Sequence, residues 1–94
     1  MNQSKFIFAG VIIKENKRYT GICLELDVAT EGETVEETKT NLLEAVTVYL
    51  ETAIESNLPV LRPIPAEEDP VNVAPDNVVE KFPLKVDVKI HTYA

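Results

Sequence analysis

Twelve consecutive residues, CLELDVATEGET, hold the chain's one cysteine, Cys23, and four carboxylates, Glu25, Asp27, Glu31 and Glu33. A thiol needs a neighbouring base to become a nucleophile, and the only histidine available is His91. Cys23 lies inside an apolar run, where a cysteine acts as a small hydrophobe. His91 falls on the polar side of an alternating segment, where a histidine needs no catalytic reason. Carboxylates can also hold two metal ions for hydrolysis, provided they converge from different elements. Glu25 and Asp27, two apart on an extended stretch, point the same way, but the run Lys5 to Lys14 carries no acid to meet them. Zinc would want several Cys or His at short spacing. The glycines stand at 10, 21 and 32, so no phosphate-binding glycine loop is present. The expected protein is not an enzyme and needs no metal or cofactor.

The elements that must carry these residues can be read from periodicity. KFIFAGVIIKENKRYTGICLEL has the form of a hairpin: two runs rich in β-formers flank the polar turn ENKR. In the first run Phe6, Phe8 and Ile12 point one way, and Ile7, Ala9, Val11 and Ile13 the other. Such a strand is expected to be covered on both faces, by a helix on one and by a cover such as a second subunit on the other. The second run is expected to continue through Leu24 and Leu26. DVATEG then forms a short third strand ending at Gly32, which is expected to take positive φ.

Thr34 and Glu37 make a T-x-x-E capping box that starts a helix. It runs to about Ser56, where Asn57 and Leu58-Pro59 supply a stop. Val35, Leu42, Val46, Tyr49 and Ala53 form the stripe that should face the sheet. Glu37, Glu44, Glu51 and Glu55 line the opposite side. All six prolines lie between residues 58 and 83, so this segment is expected to be irregular, wrapping the surface or hiding a short helix or strand in VNVAPDNVVEKF. Residues 84–92 alternate cleanly, Leu84, Val86, Val88 and Ile90 in, and predict a final strand with one wet face. The order β-β-β-α-…-β gives an α+β fold: a small, mainly antiparallel sheet with one long helix on one face, in a single domain over residues 1–94.

Charge narrows the function. The formal net charge is −7. Between Tyr19 and Leu61 nine acids face Lys39 alone, giving −8, while the rest has seven acids and eight bases, giving +1. Nucleic-acid binding needs clustered Lys and Arg, so the sign is wrong for it. An acidic centre suits solubility, or a basic protein partner. The run FIFAGVII is too short to span a bilayer and no A-x-A-like cleavage site follows it. With a single cysteine, the expectation is a cytoplasmic protein.

The stretch YTGICLELDVATEGETVEETKTNLLEAVTVYLE, Tyr19 to Glu51, resembles the HicB-like antitoxin family, also grouped as the UPF0150 proteins. Members typically show a strand ending C-P-E-L, then V-A-T-Q-G-[DE]-T-x-E-E-A and a helix closing in Y-L-E. Cys23, Glu25, Leu26, Val28 to Thr30, Gly32 to Thr34, Glu36, Glu37 and Tyr49 to Glu51 match in register, and with the preceding hairpin the likeness covers roughly the first 56 residues. Leu24 replaces the usual proline and Thr38 a common alanine. Many members add a helix-turn-helix or ribbon-helix-helix domain; the Pro-rich tail shows no such pattern, and the resemblance does not extend to operator binding. It implies a partial RNase H-like fold without nuclease carboxylates. It also implies a role as a non-catalytic antitoxin that binds and occludes a small basic HicA-like ribonuclease toxin, as a homo-dimer or tetramer. Glu25, Asp27, Glu31, Glu37, Glu44, Glu51 and Glu55 are the candidate partner-binding residues. The alternatives are a stand-alone oligomeric module for another protein or a small ligand, and a divergent nuclease or hydrolase.

Overall fold

The first strand sets the length of the molecule. β1 (Asn2–Glu15) has 14 residues, which at about 3.3 Å per residue nearly fill the 50 Å long axis. The structure is a computed structural model that describes residues 2–58, 61 and 63–90. β1 is followed by β2 (Arg18–Cys23), β3 (Val28–Gly32), α1 (Val35–Glu55), a 3-10 turn at Ala66–Glu68, α2 (Pro70–Val73), a second 3-10 turn at Pro75–Asn77, and β4 (Val78–Ile90). The four strands form one antiparallel sheet in the order β3-β2-β1-β4. One long helix crosses one of its faces, so the fold is α+β.

Register fixes which side chains share a face. Glu80 reaches Lys39 of α1 and pairs with Ile12, so the even-numbered residues of β1 face the helix. Phe8 and Ile12 are buried there beside Leu84, Val86 and Val88 of β4, and Phe6 stacks on Phe8 with centroids 5.8 Å apart. The predicted second cover over β1 is split along its length. Val11 and Ile13, on the far face, are buried, and the turn Pro75–Asn77 packs against β1. Ile7, on the same face, is 69% exposed. The turn Pro75–Asn77 therefore covers part of the far face, and upstream of it the Ile64 N–H donates to the Leu24 carbonyl at 3.0 Å.

The helix starts and stops where its local signals place it. The Thr34 hydroxyl accepts the Glu37 N–H at 3.0 Å, while Glu37 reaches back to the Glu33 N–H. At the other end Asn57 takes φ 56°, Leu58 N–H donates to the Ala53 carbonyl and Asn57 N–H to Ile54. This is a Schellman motif with asparagine in the position usually given to glycine.

Four expectations need correction. The buried face of α1 is Thr38, Leu42, Val46, Leu50 and Ala53; Val35 and Tyr49 of the expected stripe are only half-buried, Tyr49 packing against the core. β2 ends at Cys23, not Leu26, because the chain turns through residues 24–27 with Asp27 at φ 53°. Leu26 drops into the core from that turn. Gly32 is not at positive φ; it is needed for close approach, since a Cβ there would lie 2.9 Å from the Thr38 backbone nitrogen. The last strand begins at Val78 instead of 84 and holds Pro83 within it; α2 is the short helix left open by VNVAPDNVVEKF. Pro83 is tolerated because it pairs with Ala9, whose N–H and carbonyl both bond toward the β2 side. The missing proline N–H therefore points to the open edge of β4, and no ladder bond is lost. Residues 91 and 92 of the expected strand lie outside the described residues.

Candidate partner-binding surface

The seven candidate carboxylates do not form one surface. Glu25 is half-buried, and its two oxygens accept the Ala9 N–H at 2.9 and 3.1 Å. β2 stops at Cys23, opposite Gly10, so the next outward N–H of β1 has no strand to pair with. The Glu25 carboxylate takes that place. Asp27 is exposed in the turn at positive φ. Glu31 lies on β3, on the sheet face away from the helix, where it pairs with Arg18 at 3.5 Å. Its carbonyl accepts the Asn41 side-chain amide.

The other four lie on α1. At 100° per residue Glu37, Glu44, Glu51 and Glu55 fall within a narrow stripe directly opposite Val46 and Ala53, and all four are exposed. Glu37 belongs partly to the helix cap. Among the described residues no ion pair reaches Glu44, Glu51 or Glu55. Once Glu25 and Glu31 are assigned to their partners within the chain, this stripe is the largest group of the seven candidates that shares one face.

Sequence reading missed the apolar part of the stripe. Val48 lies between Glu44 and Glu51 and is 63% exposed; Leu43, at the flank, is also exposed. The spacing Glu44-x-x-x-Val48-x-x-Glu51 was a sufficient signal, since it puts all three on one side of a helix.

The residues with catalytic potential are not assembled. Cys23 is fully buried, and burial, with the Glu25 charge adding to it, pushes its thiol up to about 11. It stays protonated at neutral pH, which is the reverse of activation. His91 lies outside the described residues. Among the described residues no three His, Cys, Asp or Glu are grouped as metal ligands. A shallow hollow lined by Phe8, Ala9, Gly10, Lys81, Phe82 and Pro83 contains one ionisable group, Lys81. Near it the Glu80 carboxylate bonds Lys39 and holds the ammonium above its ordinary range, while Lys39 also lies 5.0 Å from the centre of the Phe82 ring. This group joins α1 to β4. Among the described residues no helix is long and apolar enough to cross a membrane.

No family model and no curated protein matches the chain. Two solved structures resemble it in fold. A chain of a toxin-antitoxin complex from Streptococcus pneumoniae aligns over 92% of this chain and 70% of its own length, with a TM-score of 0.59 and 17% identity. A chain of the HicA3 and HicB3 toxin-antitoxin complex aligns over 93% of this chain and 100% of its own, with a TM-score of 0.54 and 18% identity. The chain shares its small α+β fold with components of toxin-antitoxin complexes.

Proposed function

We propose that this protein is a HicB-like antitoxin that binds and occludes a small basic HicA-like ribonuclease toxin. It has no catalysis or cofactor of its own, and it acts in the cytoplasm as a homo-dimer or tetramer. The observation that carries the reading is the stripe Glu37, Glu44, Glu51 and Glu55, exposed on the helix face opposite the core, with no ion pair at the last three among the described residues. Carboxylates held at fixed spacing on a rigid helix offer a complementary field to a basic partner and speed its encounter. The fold likeness to chains of toxin-antitoxin complexes and the in-register motif from Cys23 to Glu51 support the same role.

The test is a tagged pull-down from the native host's lysate, washed at low and at high salt. A single small basic protein, held stoichiometrically at low salt and toxic when expressed alone, is the expected result. Recovery of the chain alone as a discrete oligomer would replace this reading with that of a stand-alone module. The exposed apolar side chains Ile7 and Val48 are the observation on that side.

A further inference from the structure

We propose that copies of this chain associate head-to-tail, the helix face centred on Val48 of one copy resting on the sheet face centred on Ile7 of the next. Among the described residues, the two most exposed large apolar side chains within regular elements are Ile7, at 69%, and Val48, at 63%. They lie on opposite sides of the molecule, because Ile7 belongs to the odd-numbered face of β1 that points away from α1. Each sits inside a charged rim, and the two rims have opposite sign. Around Val48 the rim is Glu44, Glu51 and Glu55. Around Ile7 it is Lys5, two residues along the same strand face, and Lys85, its partner across the β1–β4 pair, with Lys81 further along β4. Asp87, opposite Lys5, is the one carboxylate in that part of the register.

The spacings agree. Glu44 and Glu51 lie about 6 Å and 4.5 Å from Val48 along the helix axis. Lys5 lies about 6.6 Å from Ile7 along the strand, and Lys85 about 5 Å across it. With Val48 seated on Ile7, carboxylates and ammonium groups fall within side-chain reach, and two apolar side chains leave water together. Charge selects the occupant. A basic partner is repelled from the lysine rim, and two sheet faces placed together would oppose lysine to lysine. A nucleic acid meets a chain of net charge −7. The acidic helix of a second copy meets neither obstacle.

A contact between two different patches is heterologous, so it closes into a ring if the rotation allows and otherwise extends. It also uses the acidic stripe assigned above to the toxin, so the two uses exclude one another: the homo-oligomer is the toxin-free form, and toxin binding at the stripe opens this contact. The self-association itself requires no toxin and stands or falls independently of that role.

The test is light scattering and sedimentation of the full chain at low and high salt, with Ile7→Asp and Val48→Asp. Both positions are exposed, and far-UV circular dichroism would verify that each variant is folded. The wild-type chain is expected above monomer mass at low salt and each variant alone at monomer mass. An equimolar mixture is expected to form a dimer and nothing larger, because one variant keeps an intact helix face and the other an intact sheet face. A monomeric wild-type chain, variants that keep the wild-type mass, or a mixture that stays monomeric would each overturn the proposal. None of these results depends on the toxin pull-down.

Discussion

The Glu25 carboxylate accepts the Ala9 N–H with both oxygens, at 2.9 and 3.1 Å, at the point where β2 has ended and β1 continues. A side chain thus supplies what the next residue of a strand would have supplied. The position is half-buried, so water replaces it poorly. Glu25→Ala should destabilise the protein by about 1–3 kcal/mol, the range for removing a charged acceptor from a partly buried donor. Glu25→Gln, which keeps one acceptor oxygen, should lose less. Urea unfolding of the two variants checks the order; equal losses would mean the carboxylate serves something other than this bond.

Gly32 and Thr38 form a second pair of this kind. A Cβ on residue 32 would meet the Thr38 hydroxyl and lie 2.9 Å from its backbone nitrogen and 3.1 Å from its Cα. Backbone in the first turn of α1 cannot move aside without breaking the cap. Gly32→Ala should cost about 1–3 kcal/mol, the usual penalty for overpacking. Adding Thr38→Ala should recover only part of it, since the backbone contact remains. Full recovery in the double variant, measured by thermal or urea unfolding, would place the clash on the Thr38 side chain alone.

These pairs mark the boundary of what the sequence makes legible. The helix ends at Thr34 and Asn57 were readable because capping is written in neighbouring residues. The alternation of Leu84, Val86 and Val88 was readable because a strand with one wet face has period two. Pro83 reads locally as the end of the irregular segment, since the fact that makes it harmless within a strand is the remote register with Ala9. Leu50 is fully buried while Tyr49, one position away, packs against the core only half-buried, because the rotation of α1 about its axis is set by the sheet beneath it. The same division runs through the candidate site. Glu44, Glu51 and Glu55 followed from helical spacing, whereas the partners of Glu25 and Glu31 depend on which strands end where.

Cys23 should make stability fall with rising alkaline pH. Its thiol is pushed up to about 11 in the folded chain, while an unfolded cysteine titrates near about 8.5. Between these values the folded chain holds the proton and the unfolded chain does not, so stability is complete below the unfolded value and declines as pH rises through the folded one. Lys39, also raised, loses its contribution in the same direction but at higher pH. Cys23→Ala should lower stability throughout, since it empties part of the core, yet flatten the slope above about pH 8.5. The slope is therefore the readout. Consistent with this, the native thiol should resist a disulfide reagent at pH 8 and react on unfolding; rapid native reaction would contradict its burial.

The helix stripe makes the sharpest prediction about partner binding. Glu44 and Glu51 are exposed and lie opposite the core residues Leu42, Val46 and Leu50. Glu44→Lys with Glu51→Lys should therefore leave the unfolding midpoint nearly unchanged while opposing like charges to a basic partner. Affinity should fall on the order of tenfold or more, about 1.4 kcal/mol per tenfold, mainly through slower association that depends less on salt. Glu31→Lys is the control. It removes a negative charge too, but from the other face of the sheet, where Glu31 pairs with Arg18. Titration calorimetry and stopped-flow association with the captured toxin would separate the two. Glu31→Lys shifts the net charge by half as much as the double variant, so a loss about half as large on the logarithmic scale would show that only net charge matters; a loss confined to the double variant would place the partner on the outer line of α1.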